Sequence, residues 1–382
     1  MKNIAIYDRI EREIFKRKEE QLFRSIPEFC DGKDLIDYST NSYLSLHENS
    51  EIAVNARKLC DGNLTGNCSS RLISQKSPLY SELETEIASW KKTESSLVFN
   101  SGYSANLGII GSLCKKDTAV FCDRLNHASI YDGITLSGGR LVRYHHNDMS
   151  DLLKQIRSSD AKEKLIITDS VFSMDGDRAP LAAICEIAEQ YGCMVMIDEA
   201  HATGIFGKEG CGLAEDAGVA DKIDIRMGTL SKAAAGLGGY FAGSKLLRDF
   251  FVNNGRSLIY STGLPHSVLA HNLAAIRYIR VNPHLGKNLL EKAAEFRDNL
   301  QRTGFDTMNS CTQIVPCKLG SATSALNLSA FLRTHGIIAP AVRPPTVPPQ
   351  TARIRFSIFS GLDKWQLGHT MEIISEWKKE NG

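Results

Sequence analysis

No Cys-x-x-Cys pair occurs among the 382 residues. The ten cysteines, at 30, 60, 68, 114, 122, 185, 193, 211, 311 and 317, form no cluster with histidine at zinc-ligand spacing. That excludes a disulfide framework and a zinc module; no metal is expected, and scattered free thiols suit a reducing, cytoplasmic setting. No apolar run approaches the ~20 residues that cross a bilayer. The start of the chain, with Glu11, Arg12, Glu13, Lys16, Arg17 and Lys18, has no signal-peptide core. No membrane attachment is expected, so the sequon Asn63-Leu64-Thr65 reads as a chance match. Excess charge is missing too. Lysine and arginine number 45 against 44 acidic residues, a net charge of +1, so there is no sign of the broad basic surface of a nucleic-acid binder. There is no internal repeat, no low-complexity linker and no P-loop: Gly32-Lys33, Gly207-Lys208 and Gly286-Lys287 all lack a following Ser or Thr.

What remains is a globular chain, 42% hydrophobic, long enough for one large core and a smaller second one. Residues 1–30 read as a charged helical arm and Leu35–Leu46 as a short strand and turn. Leu79, Leu83, Ile87 and Trp90 stand at helical spacing. From there short apolar runs alternate with helical patterns. Leu97–Asn100, Ala119–Cys122, Leu165–Thr168, Met194–Asp198, Ile223–Met227 and Tyr240–Ala242 read as strands, Ala105–Cys114 and Leu181–Tyr191 as helices. The alternation predicts an α/β domain with a mostly parallel central sheet. Leu264 to about residue 300 is mainly helical. Gln313–Lys318, the helix Ala325–His335 and the strand Ile354–Ile358 suggest a smaller C-terminal α+β domain, with Arg343–Pro349 a rigid extended loop inside it. The expected division is 1–45 for the arm and first strand, 46–285 for the large domain and 286–382 for the small one.

Two strand ends carry the chemistry. Asp198 closes the run Met194–Ile197, and Lys232 follows the run ending at Met227, 34 residues later. An acid and a lysine at the ends of neighbouring buried strands suit pyridoxal phosphate (PLP). The amine would hold the cofactor aldehyde as a Schiff base, and the carboxylate would keep the pyridine nitrogen protonated. A lone Thr-x-x-Lys is common, and Asp198-Glu199-Ala200-His201 also matches a helicase box, but that reading needs the missing P-loop. Other segments fit the same cofactor. Ser101-Gly102-Tyr103 lies between a strand and a helix, where free N–H groups and the helix dipole favour a phosphate. His127, in Asn126-His127-Ala128-Ser129, could stack on a ring. His201 could reach the ring hydroxyl. Asp169–Asp177 offers small polar groups, although turn capping explains much of it.

These residues, with Asn41-Ser42-Tyr43-Leu44, Ser70-Arg71-Leu72, Leu83-Glu84, Phe99–Asn106, Val171–Asp177, Asp198–Gly204, Gly228–Ala233 and Tyr260-Ser261-Thr262, resemble the α-oxoamine synthases of PLP fold type I over nearly the whole chain. The resemblance implies a large domain around a mostly parallel sheet and a smaller α+β domain. It makes Lys232 the Schiff-base lysine and the base that removes the Cα proton. It pairs Asp198 with the pyridine nitrogen, brings His201 to the ring hydroxyl and stacks His127 on the ring. Gly102, Tyr103 and Thr229 would hold the phosphate, Ser261 and Thr262 reaching in from a second subunit of a homodimer. Ser173 would line the cofactor site. Arg355 would grip an amino-acid carboxylate, with Asn41 and Thr346 contacting substrate. The loop Arg343–Pro348 followed by Thr351–Arg355 is most similar to the biotin-pathway branch, which joins L-alanine to pimeloyl-CoA or pimeloyl-acyl-carrier protein. Three positions depart from the family pattern: Gln75 replaces a usual glycine, Tyr80 a usual histidine, and Phe23 a substrate-contacting arginine, with Arg24 beside it as the remaining candidate. The alternatives are another family member, such as a 2-amino-3-ketobutyrate ligase, or a catalytically inactive PLP-fold binding protein.

Overall fold

The computed structural model of the protein describes residues 5–20, 22–24, 26, 35–60, 66–73 and 77–381. Its centre is a seven-stranded sheet. The strands, in chain order, are β1 (Ser95–Phe99), β2 (Thr118–Asp123), β3 (Arg140–Tyr144), β4 (Glu163–Asp169), β5 (Met194–Asp198), β6 (Ile225–Thr229) and β7 (Gly239–Gly243). Their spatial order is β1-β7-β6-β5-β4-β2-β3. β3, β2, β4, β5 and β6 pair in parallel, and only β7 runs against its neighbours β6 and β1. Every residue of β2, β6 and β7 is buried, as expected of strands covered by helices on both faces. β3, with the sequence Arg-Leu-Val-Arg-Tyr, is the exception. It is an edge strand with two exposed arginines, so it shows no apolar run and escapes a reading based on hydrophobicity.

The sheet's geometry places the chemistry. β4 and β5 end side by side, with Asp169 opposite Asp198, and β6 ends at Thr229 next to them. β1 points the same way, so the helix Gly102–Leu113 begins at this carboxyl edge, where open α/β sheets bind ligands. Ser101 caps that helix: its side chain accepts from the Ser104 N–H and Ser104 returns the bond.

A second, three-stranded antiparallel sheet is formed by Ala341–Val342, Ala352–Ser357 and Ile314–Gly320, in that spatial order. The helices His284–Arg302, Ala322–Thr334 and Lys364–Asn381 accompany it. The expected strand in Leu35–Leu46 is only Ile36–Asp37, which pairs in parallel with Ile337–Ile338. Of the expected arm, Ala5–Glu19 is a helix with no buried residue. The Arg343–Pro349 run is not extended throughout. It turns back, with the Thr346 N–H donating to the Arg343 carbonyl, and the Pro344–Pro345 bond is cis. Position 75 lies outside the described residues. Tyr80 is buried: its hydroxyl accepts from the Leu264 N–H at 2.6 Å, and the Arg71 guanidinium sits 3.9 Å from its ring centre. The nine described cysteines are free thiols, and no helix among the described residues is long and apolar enough to cross a membrane.

The segment Val171–Arg178 joins the two sheets. Gly176 has φ +70°, and a Cβ there would fall 2.0 Å from the Ile314 carbonyl oxygen, so only glycine fits. Its own carbonyl accepts from Thr312 Oγ1 at 2.8 Å. Asp175 pairs with the buried Arg353, and the Ser173 carbonyl accepts from Arg355 Nε at 2.6 Å. On the other side His146 bonds Asp123 through Nδ1 at 3.0 Å and Asp177 through Nε2 at 2.7 Å. Burial opposes the His146 charge, but the two carboxylates prevail and raise its pKa to about 10.

One ion pair is wholly inside the protein. Lys91 Nζ lies 2.8 Å from Glu199, the residue after Asp198, and neither side chain is more than 1% exposed. Burial disfavours the lysine charge, yet Glu199 and Tyr240 outweigh it and raise the Lys91 pKa. Glu199 also accepts from the Ala214 N–H at 3.0 Å. Lys91→Met would leave that carboxylate buried and unpaired and should cost about 3–5 kcal/mol of stability. Urea denaturation should show it as a lower midpoint with unchanged slope; an unmoved midpoint would mean Glu199 finds another partner.

Candidate active site

A cavity of about 230 Å³ opens at the carboxyl edge of the main sheet. Ser101, Gly102, Tyr103, Asn106, His127, Asp198, His201, Thr229 and Lys232 all face it. Seven of these were expected from the sequence: Gly102, Tyr103, His127, Asp198, His201, Thr229 and Lys232.

Lys232 is half-buried and makes no ion pair among the described residues. Its Nζ lies 2.9 Å from His201 Nε2. Desolvation lowers its pKa to about 8, while Asp198 and Asp169 pull it upward and Arg355 pushes it down. His201 is lowered well below its usual value, first by burial and then by Lys232, Arg355 and His127. The pair is therefore a neutral imidazole beside an amine that is partly uncharged at neutral pH.

Asp198 is held as an acceptor. Its Oδ1 takes the Ala200 N–H at 2.8 Å, and its Oδ2 takes Asn106 Nδ2 at 2.9 Å. Asn106 also donates to Ser129 Oγ at 2.9 Å. Asp169, one strand over, has its pKa raised well above the carboxylate range, by burial first and Asp198 second. His127 caps the helix Ala128–Ser137, with Nδ1 2.7 Å from Ser129 Oγ. Burial lowers its pKa, partly countered by Asp198.

The phosphate-type corner is built from backbone. The helix Gly102–Leu113 presents its N-terminus, and Gly102 keeps the approach open, since a Cβ there would come 3.3 Å from Met227 and 3.4 Å from Thr229. Thr229 donates to the Gly238 carbonyl at 2.8 Å and lies 2.8 Å from Ser231 Oγ. Tyr103 donates to Asp132, and its ring is edge-on to His127.

Arg355 and Asn41 lie next to His201, joined through Tyr43. Arg355 Nη2 donates to Asn41 Oδ1 at 3.1 Å and to Tyr43 Oη at 3.2 Å, and Tyr43 Oη is 2.7 Å from His201 Nδ1. Arg24 donates to Thr346 Oγ1 at 2.9 Å, and both border a separate cavity of about 500 Å³ that reaches His127. Ser173 borders that second cavity and not the Lys232 cavity. Within one chain Ser261 and Thr262 also lie off the Lys232 cavity: Thr262 bridges to Ser70, and its carbonyl accepts from Asn100 Nδ2. Tyr43, Asn106 and Asp169 were not singled out from the sequence. Tyr43 and Asn106 stand inside quoted motifs, but no spacing rule marks them as converging on Lys232. No group of three or more His, Cys, Asp or Glu among the described residues is placed to hold a metal ion.

The donor set fits PLP. It supplies one amine of low pKa for an aldehyde, one hydrogen-bonded carboxylate, a neutral imidazole beside the amine and a helix N-terminus for a phosphate. Two buried oxygens facing the cavity, Asn106 Oδ1 and Asp169 Oδ1, have no hydrogen-bond partner among the described residues.

Comparisons with known proteins agree. The family described as aminotransferase class I and II matches residues 33–374. The 8-amino-7-oxononanoate synthase of Geobacter sulfurreducens is 41% identical over 383 residues, covering 97% of this chain and 98% of that protein. Among solved structures, a lysine-to-alanine variant of the serine palmitoyltransferase of S. paucimobilis with a bound PLP–myriocin aldimine superposes with a TM-score of 0.91 at 27% identity, over 100% of this chain and 99% of the other. The 8-amino-7-oxononanoate synthase of Francisella tularensis gives 0.80 at 27% identity, over 91% and 99%.

A lowered lysine pKa has a direct readout. The rate at which the apoprotein captures pyridoxal phosphate, trapped with borohydride, should rise with pH through a midpoint near 8. Asp198→Asn removes a charge that raises this pKa, so the midpoint should fall. A midpoint near that of free lysine, about 10.4, would contradict the burial argument.

Proposed function

We infer, from this chain's membership of the class I and II aminotransferases and of their α-oxoamine synthase branch, that it is a PLP-dependent acyltransferase of biotin biosynthesis. It performs the reaction of the 8-amino-7-oxononanoate synthases. L-Alanine and a pimeloyl thioester condense to 8-amino-7-oxononanoate, with release of carbon dioxide and the free thiol carrier. The observation that carries this reading is the joining of Lys232, His201, Tyr43, Asn41 and Arg355 in one hydrogen-bonded chain. It sets a carboxylate grip beside a poised amine.

Bound PLP supplies an electron sink for the pair of electrons left at the amino acid's α-carbon. The protein's residues do the rest. Arg355 offers a planar guanidinium, and Asn41 an amide, to the alanine carboxylate. Lys232, whose amine is partly neutral at working pH, takes the proton from Cα. His201, 2.9 Å from that amine, reaches the ring hydroxyl. Asp198, fixed by Asn106 and the Ala200 N–H, keeps a negative charge where a pyridine nitrogen needs one. The helix starting at Gly102 receives the phosphate, and His127 covers the ring. Ser261 and Thr262 complete the phosphate site of a second subunit in a homodimer, which is consistent with their lying off the cavity of their own chain. The acyl donor enters the cavity bordered by Arg24, Thr346 and His127. Ser173 lies on the same wall, in the cavity that His127 also borders. The protein works in the cytoplasm.

The reading is tested by following thiol release from pimeloyl-, acetyl-, succinyl- and palmitoyl-CoA with alanine, glycine and serine. Alanine with pimeloyl-CoA should be fastest. Glycine and serine should react more slowly and not be excluded, since a pocket discriminates small groups by only about 1–3 kcal/mol. Glycine with acetyl-CoA outrunning that pair would move the assignment to a 2-amino-3-ketobutyrate ligase. Lys232→Ala should abolish turnover together with the borohydride-stable adduct, and normal turnover in it would end the assignment.

Arg24 borders the proposed acyl cavity, as Arg124 does, and its side chain donates to a threonine, not an acid. Arg24→Ala should raise the KM for pimeloyl-CoA by about tenfold, the loss of roughly 1.4 kcal/mol, and leave the KM for alanine unchanged. An unchanged acyl KM would place acyl recognition elsewhere.

A further inference from the structure

The cavity of about 500 Å³ beside the Lys232 site carries an unbalanced charge. Leu125, Met174, Pro345 and Val347 give it apolar walls, and its charged border residues are Arg24, Arg124 and Asp175. Asp175 is committed to the buried Arg353. Arg24 donates to Thr346, and neither Arg24 nor Arg124 has an acid against it among the described residues. Two cations therefore border one cavity with no acid of the protein to offset them. Like charges repel, and a carboxylate placed between them relieves the repulsion.

Arg124 is the freer of the two. Its side chain is exposed and makes no hydrogen bond, ion pair or ring contact among the described residues. Its backbone, by contrast, is fixed. The Arg124 N–H donates to the Tyr144 carbonyl at 3.2 Å, the Leu125 N–H donates to Asp123 Oδ1 at 2.9 Å, and the same Asp123 oxygen is bonded to His146. Arg124 also stands three residues before His127, so at most about 11 Å of chain separates it from that imidazole. The cation has a rigid base, a free end and a short distance to the reacting centre.

A pimeloyl thioester brings two kinds of anion. Its carboxylate lies five methylenes from the thioester carbon. The phosphates of its carrier lie on the other side of the sulfur, beyond the much longer pantetheine arm. Apolar walls with two cations close to His127 match the first and not the second. We propose that Arg124 is a specificity-determining residue: with Arg24 it holds the free carboxylate of the acyl donor, and so selects thioesters of dicarboxylic acids over those of simple fatty acids. This rests on the reading of this cavity as the place of the acyl donor. Each guanidinium can meet a carboxylate through paired N–H groups. Arg24 comes to the cavity beside Thr346 and Arg124 from the loop after β2, so the carboxylate links two elements that are far apart in sequence.

The test compares ligands that share a carrier and differ only at the far end. Thioether analogues of pimeloyl-CoA and heptanoyl-CoA cannot condense, so calorimetry on the holoenzyme reads their binding without turnover. The parent protein should bind the carboxylate-ended analogue at least about tenfold more tightly. Arg124→Gln should weaken that analogue about tenfold and move the heptanoyl one by less than about threefold. Arg124→Lys, which keeps the charge and loses the fork, should fall between. Both variants should keep the parent's Tm, since the side chain supports no other group. In turnover with alanine, the preference for pimeloyl- over heptanoyl-CoA in kcat/KM should drop in Arg124→Gln by the same factor as the binding preference. An equal loss for both analogues would assign Arg124 to the carrier's phosphates and overturn the proposal. A preference that Arg124→Gln leaves intact would overturn it as well. The proposed function fails separately. A parent protein with an Arg124-dependent preference for the carboxylate-ended analogue, but no condensation of alanine with pimeloyl-CoA, would keep the carboxylate site and lose the function. One that condenses them with a preference indifferent to Arg124 would keep the function and lose the site.

Discussion

Lys232 is half-buried with its amine against an imidazole, and the carboxylates of Asp198 and Asp169 act on it from a distance without bonding to it. A directly paired lysine would stay charged and inert. A buried lysine with no acid in reach would lose its proton altogether. The intermediate outcome depends on where two strands end. β4 and β5 are in parallel register, so Asp169 and Asp198 sit side by side, and burial first, with Asp198 second, raises the Asp169 pKa. Asn106 and the Ala200 N–H fix Asp198 in place by hydrogen bonds.

Much of this is legible in the chain. Short apolar runs ending in an acid, or followed by a lysine, mark strand ends, and in a parallel sheet all such ends meet at one edge. Asp198, Thr229, Lys232 and the turn at Gly102 are readable for that reason. β3 is not, because an edge strand with arginines facing water has no hydrophobic run. Nor is the turn at Arg343–Thr346, where prolines suggest extension but a backbone hydrogen bond closes a loop. Tyr43 and Asn106 are hidden for a different reason. Each serves the site through bonds to residues more than 90 positions away, Tyr43 to His201 and Arg355 and Asn106 to Asp198. Such contacts are set by the closed fold. The Lys91–Glu199 pair is equally silent, since an ordinary helix lysine and an acid 108 positions apart give no sign that they meet in the core.

The segment Val171–Arg178 explains why the carboxylate grip stays in register with the amine. Arg353 and Arg355 are neighbours on one face of a strand of the small sheet, and both reach across to it, one to Asp175 and one to the Ser173 carbonyl. Gly176 lets this segment lie flat against Ile314, and Thr312 bonds the same glycine. A guanidinium anchored in this way loses little freedom when a carboxylate arrives, which is the benefit of preorganisation.

The far end of that segment is held by His146 between Asp123 and Asp177. Its folded-state pKa, about 10, lies above that of a free imidazole, so its stabilising effect is complete below about 6.5 and is lost as pH rises through the folded value. In the native protein the imidazolium nonetheless persists throughout the interval in which Lys232 sheds its proton near 8. The two titrations are thus staggered. The amine can respond to alkali while the clasp that aligns its partners remains shut, so a rate profile on the basic side reads out base chemistry first and mechanical loosening only later.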